Sequence, residues 1–102
     1  MDYRIIWSPQ ALEDIEALAG YITRDSLTYA ESTVERILEA PERLRQFPKL
    51  GRVVPEKNHE DIRELFVFQY RVIYEIHTSE IHTSEIHVLT VVHGKRIIED
   101  LL

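Results

Sequence analysis

The chain predicts an α+β fold: a short N-terminal strand, an antiparallel two-helix hairpin, and a three-stranded antiparallel meander whose sheet packs on the hairpin. Three observations lead there. Helical spacing of apolar residues is confined to positions 9–47. Runs rich in β-branched and aromatic residues occupy positions 3–7 and 62–93. A sheet that is apolar on one face and a helical pair that is apolar along one stripe must cover each other, which gives two layers around one core.

Tyr3 to Trp7 reads as the first strand. Ser8-Pro9 follows as an N-cap with proline at the first helical position, where its missing N–H costs nothing. Ala11, Ile15, Leu18 and Ile22 recur at helical spacing, so the first helix is expected from Pro9 to Arg24, with Glu13 and Asp14 near its positive end. Asp25-Ser26 breaks the pattern. Thr28 with Glu31 forms a capping-box pattern, and Ser26 is the alternative cap. Leu27, Ala30, Val34, Ile37, Leu38, Leu44 and Phe47 mark the second stripe. Pro41 lies inside it and should kink or interrupt the helix, because its ring displaces the backbone one turn earlier. Lys49 to Glu60 is expected as a loop. Ile62 to Phe68, Tyr70 to Ile76 and Ile86 to His93 then form the meander. In its middle strand Tyr70, Val72, Tyr74 and Ile76 share one face and Arg71, Ile73 and Glu75 the other.

A length of 102 residues fits one domain, 1–102, with a small core. With 44% hydrophobic and 29% charged residues the composition is that of a globular protein. No apolar run approaches the ~18 residues of a membrane span, and the first residues do not read as a signal peptide. The absence of cysteine removes disulfides and thiolate metal sites, so a cytoplasmic location is expected. A net charge of −6 gives no long-range attraction to nucleic acid, although a local basic patch is compatible with it.

Ile76-His77-Thr78-Ser79-Glu80 recurs unchanged as Ile81-His82-Thr83-Ser84-Glu85, and a third Ile-His follows at Ile86-His87. A five-residue unit is odd, and strand side chains alternate with period two. The copies therefore cannot show the same faces in one uninterrupted strand. A tandem duplication at 76–85 is expected to form a longer hairpin loop or to be absorbed by a bulge. The histidines at 77, 82 and 87 are explained by the copying rather than by a metal site, since spacing of five suits neither one strand face nor a helical i, i+4 pair. Only three glycines are present and no phosphate loop or nucleophile elbow is found, so no cofactor and no metal are expected.

The segments Trp7-Ser8-Pro9-Gln10-Ala11, Phe47-Pro48-Lys49-Leu50-Gly51-Arg52, Ile62-Arg63-Glu64-Leu65, Tyr70-Arg71-Val72-Ile73-Tyr74 and Val92-His93-Gly94-Lys95-Arg96 resemble, in that order, the RelE/ParE superfamily of toxins from type II toxin–antitoxin systems. The resemblance implies one of two activities: ribosome-dependent cleavage of mRNA in the RelE branch, or poisoning of DNA gyrase in the ParE branch. It implies a cognate antitoxin in either case.

RNA cleavage through the 2′-hydroxyl needs a proton acceptor, cations for the phosphorane and an acid for the leaving oxygen. For an RNase of this kind the resemblance nominates Arg63, Arg71 and Arg96, with His93 as the titrating group. The tyrosine that RelE-like toxins carry after the last strand would fall at Leu102, and residues 97–102 contain none. Glu75 is the nearest formal carboxylate partner for His93. Each candidate also has a plain reading. Arg71 would be an exposed cation on an open sheet face, Arg63-Glu64 and Glu35-Arg36 ordinary surface charges, His93 a solvated histidine, and Lys95-Arg96 a charged device at the end of an edge. The acidic charge and the missing tyrosine favour the ParE branch, with gyrase and an antitoxin as partners. The RNase reading, with ribosome and mRNA as partners, comes second. A degenerate binding module, dimerising through the lengthened last hairpin, comes third.

Overall fold

The computed structural model describes residues 2–96 and 98. Strand β1 (Arg4–Trp7) leads into helices α1 (Pro9–Thr23) and α2 (Leu27–Glu39), and a 3-10 helix follows over Ala40–Arg45. Strands β2 (Arg52–Val53), β3 (Ile62–Val67), β4 (Tyr70–His77) and β5 (Glu85–His93) complete the chain's regular structure. They form one sheet in the order β1-β5-β4-β3-β2. The meander is as expected, but the sheet gains two outer members. Strand β1 pairs with β5 in parallel, and the two-residue β2 rises out of the expected 49–60 loop to pair with β3. The β1–β5 pairing could not be read locally, since the two strands are joined through the whole chain, and β2 is too short to show a strand pattern.

Local chemistry explains the helices. The Ser8 hydroxyl accepts the Ala11 N–H at 3.0 Å and donates to the Leu89 carbonyl at 2.9 Å, so the cap also ties α1 to β5. Asp14 does not serve the helix dipole as expected. Its carboxylate accepts from the Thr90 hydroxyl at 2.5 Å and from the Val91 N–H at 3.0 Å, a second tie between α1 and β5. Helix α2 is capped by Ser26, whose Oγ accepts the Tyr29 N–H at 3.1 Å; the Thr28/Glu31 box is not used. At Pro41 the α-helix gives way to the tighter 3-10 turn, the interruption that a ring without an N–H imposes.

Both faces of the central strands are covered. On one, Ala11, Ile15, Ile37, Val72 and Val88 form the main core, extended by Leu44, Tyr74 and Ile86. On the other, Ile73 packs with Val54, Val92 and Ile98. The register between β4 and β5 slips at one place: Ile73 faces Thr90 and Tyr74 faces Val88, which leaves Leu89 as the extra residue of a bulge. That bulge is remote from the repeated pentapeptide. The repeat is instead taken up in the β4–β5 hairpin, whose loop at 78–84 is cross-braced by serines. Ser84 Oγ accepts the Ser79 N–H at 3.0 Å, and Ser79 Oγ accepts the His82 N–H at 2.8 Å. Among the described residues no helix is long and apolar enough to cross a membrane.

Candidate functional site

The outstanding polar feature is a buried ion cluster on the sheet face opposite the helices. Alternation along β4 puts Arg71 beside Ile73 on that face, and the antiparallel register brings Glu64 of β3 alongside, one pair removed. Arg71 Nε donates to Glu64 Oε1 at 2.6 Å. Its Nη1 and Nη2 donate to the two oxygens of Glu56 at 2.7 and 2.8 Å, a two-pronged contact that fits the planar guanidinium. Nη1 also donates to the Arg96 carbonyl at 3.0 Å. Arg52 Nε reaches the other oxygen of Glu64 at 2.5 Å. The side chains of Arg71 and Glu64 are 4% and 0% exposed, so both charges depend on each other for solvation lost to burial. The hydrogen bonds that Arg71 donates hold the Glu56 carboxyl at a pKa of about 2, and their acceptance by Glu56 and Glu64 raises that of Arg71.

This overturns two sequence expectations. Arg71 is not an exposed cation, and Glu64 is not a surface charge. The strand pattern could not reveal it, because the cover comes from Val54 and Glu56 in a loop and from Ile98 beyond the last strand.

The other nominated residues do not converge on Arg71. Arg63 lies opposite Tyr74 and hence on the helix-facing side of β3, where it donates to the Glu60 and Gly51 carbonyls at 2.8 and 2.9 Å. His93 is exposed at the end of β5, opposite Tyr70 and edge-on to its ring, with centroids 5.9 Å apart. Its Nδ1 accepts the Lys95 N–H at 3.2 Å. The exposed Arg96 meets Arg71 only through its main-chain carbonyl. Glu75 is no partner for His93. It sits near the other end of β4, opposite His87, and its carboxylate bonds His77 Nε2 at 2.8 Å. The C-terminal expectation, including Leu102 as the tyrosine's place, lies outside the described residues.

The histidines of the repeat are partly reunited by the hairpin. His77 and His87 stack with centroids 4.0 Å apart, and each bonds the glutamate two residues before it. Among the described residues no group of three His, Cys, Asp or Glu side chains could hold a metal ion.

Two exposed surfaces lie on the hairpin and on the sheet. One is an apolar groove of about 440 Å³ along the helical hairpin, formed by Ala19, Leu27, Ala30, Val34 and Leu38 with Glu31 and Glu35 beside them. Leu27 and Leu38, members of the second apolar stripe, are 60% and 44% exposed. The signal was present: positions 27, 30, 31, 34 and 38 form a second helical row next to the buried row of Ala30, Thr33 and Ile37. The other surface surrounds the β3–β4 turn. Tyr29, Phe66 and Phe68 are 39%, 52% and 48% exposed, Arg36 lies 5.6 Å over the Phe68 ring, and Arg52 lies 5.0 Å over that of Phe66.

Comparison with known proteins agrees with this architecture. The chain belongs to the ParE toxin family of type II toxin–antitoxin systems, whose family model matches residues 5–98. Two solved structures share the fold at 19% sequence identity. The chromosomal ParDE toxin–antitoxin system of P. aeruginosa gives a TM-score of 0.69 over 91% of this chain and 97% of that chain. The RelBE2 toxin–antitoxin complex of Mycobacterium tuberculosis gives 0.56 over 91% and 99%. A search of curated protein sequences found no significant match.

Proposed function

We propose that this toxin acts by binding DNA gyrase rather than by cutting RNA, and that a cognate antitoxin holds it inactive. The observation that carries the reading is the state of Arg71. A phosphorane needs a cation it can reach, and the Arg71 guanidinium is buried with four hydrogen bonds to Glu56, Glu64 and the Arg96 carbonyl. Arg63 and His93 lie on the opposite sheet face from it, so the four nominated residues do not surround one scissile bond. The family match to a ParE model and the net charge of −6 point the same way.

The antitoxin takes the groove along the helical hairpin. Its apolar floor suits the nonpolar face of an amphipathic helix, and Glu31 and Glu35 suit basic residues on that helix. The reading is tested by direct binding of the purified chain to purified gyrase, expected to be saturable and displaced by antitoxin. No binding at large excess of folded protein would sink it. Incubation with ribosomes programmed with mRNA is the complementary test. The account expects intact mRNA, and cleavage that disappears in Arg96→Ala would restore the RNase reading.

A further inference from the structure

We propose that the outer edge of β3 at Phe66, together with the Phe68 turn, is a docking site for an acidic, extended segment of a partner protein. This goes beyond the toxin reading and does not depend on it.

The edge is open at this point. Val54 N–H donates to the Ile62 carbonyl, which shows that Ile62, and by alternation Glu64 and Phe66, turn their main chains toward β2. Strand β2 pairs with β3 only as far as Glu64, so the Phe66 N–H and C=O face outward past its end. An added strand would find these groups unclaimed among the described residues, the mode by which extended peptides join sheet edges.

The side chains around this edge have the character of an interaction surface. A depression of about 260 Å³ straddles it, formed by Arg36 and Ala40 on the helix side with Phe66, Val67 and Phe68. Phe66 and Phe68 are about half exposed and side by side, which gives the turn two adjoining aromatic anchors. Phe68 also holds a φ of 53°, the left-handed region that glycine or asparagine occupies easily and a bulky side chain does not. The ring held there packs against Tyr29, with centroids 5.7 Å apart, and turns its remaining surface to solvent.

Charge selects the occupant. Arg36 makes no ion pair among the described residues; its guanidinium lies on Phe68 and keeps its edge for a carboxylate. Arg52 lies on Phe66 and shares Glu64 with Arg71, which leaves it with N–H groups to offer. This surface is therefore cationic and aromatic on a molecule of net charge −6, whereas the helical groove is flanked by Glu31 and Glu35. The two surfaces call for segments of opposite charge.

The probe is a fluorescein-labelled peptide in which glutamate alternates with threonine about one central phenylalanine, followed by anisotropy. Its lysine-for-glutamate counterpart is the control. The expected result is saturable binding of the acidic peptide alone, weakened about tenfold or more by Phe68→Gly and by Arg36→Glu, the loss typical of an anchor residue. Arg36→Glu should also transfer preference to the lysine peptide. Phe68→Gly relieves the φ of 53° and should melt no lower than the parent, and Arg36→Glu lies on an exposed helix face, so loss of folding does not mimic the result. Absence of binding, equal binding of both peptides, or affinity indifferent to both substitutions would overturn the proposal. So would self-association abolished by Phe68→Gly, which would assign the surface to a second copy of the chain.

Discussion

Arg71 of β4 donates its Nε hydrogen to Glu64 of β3 at 2.6 Å, with both side chains almost wholly withdrawn from water. Removing Glu64 leaves Arg71 held by Glu56 with its buried Nε hydrogen unpaired, and removing Arg71 leaves Glu56 without its cation. Glu64→Ala should therefore cost about 1–3 kcal/mol in urea unfolding, the range for leaving a buried donor unsatisfied. The triple variant Glu56→Gln, Glu64→Leu, Arg71→Met should recover most of that loss, because it removes the buried charges together and leaves no carboxylate without its cation. Recovery of less than half would mean that the cluster stabilises the fold beyond what its burial explains. The same reasoning limits the use of Arg71→Ala in toxicity assays, since loss of toxicity there first reports loss of folding.

Acid should weaken the fold through Glu56. Its folded pKa is depressed to about 2 by the hydrogen bonds from Arg71, below an unfolded value of 4.5. A depressed carboxylate adds stability above the unfolded value and loses it as the pH falls toward the folded one. Unfolding free energy should thus decline between pH 4.5 and about 2. Glu56→Gln should remove on the order of 1–2 kcal/mol at neutral pH, allowing for solvent screening, and flatten part of that decline. An unchanged pH profile in Glu56→Gln would contradict the contact.

Two glycines should respond in opposite directions to alanine. A Cβ at Gly51 would lie 2.5 Å from the Glu64 carbonyl oxygen and 2.7 Å from the Tyr74 hydroxyl, which itself accepts the Gly51 N–H at 2.9 Å. Gly51→Ala should lower stability by about 1–3 kcal/mol, the typical cost of overpacking. At Gly20, inside α1, a Cβ meets nothing within 4 Å. Gly20→Ala should raise stability by up to about 1 kcal/mol through helix propensity alone. Thermal unfolding of the two variants checks both signs.

Sequence legibility followed the range of the interactions. Ser8-Pro9 and Pro41 act on their own neighbours, and the structure places the start of α1 and the end of α2 where they indicate. The alternation of Tyr70 to Ile76 likewise fixed the two faces of β4. The parallel pairing of β1 with β5 was not legible, because it depends on where a distant hairpin lies. The candidate site failed for the same reason. Arg71 is nominated by its place in the family pattern, but its partners Glu64 and Glu56 come from another strand and from a loop. A cation in a strand reads as exposed until the cover over that strand is known. Leu27 and Leu38 are the converse case. Their spacing marks an apolar row, and spacing alone does not distinguish a row that meets the core from one that waits for a partner.

The most direct test of the account is a gyrase supercoiling assay with the purified chain, free of antitoxin and supplied with ATP and relaxed plasmid. The account predicts dose-dependent loss of supercoiling with accumulation of cleaved DNA, both reversed by antitoxin. Unimpaired supercoiling at large molar excess of folded protein would contradict it.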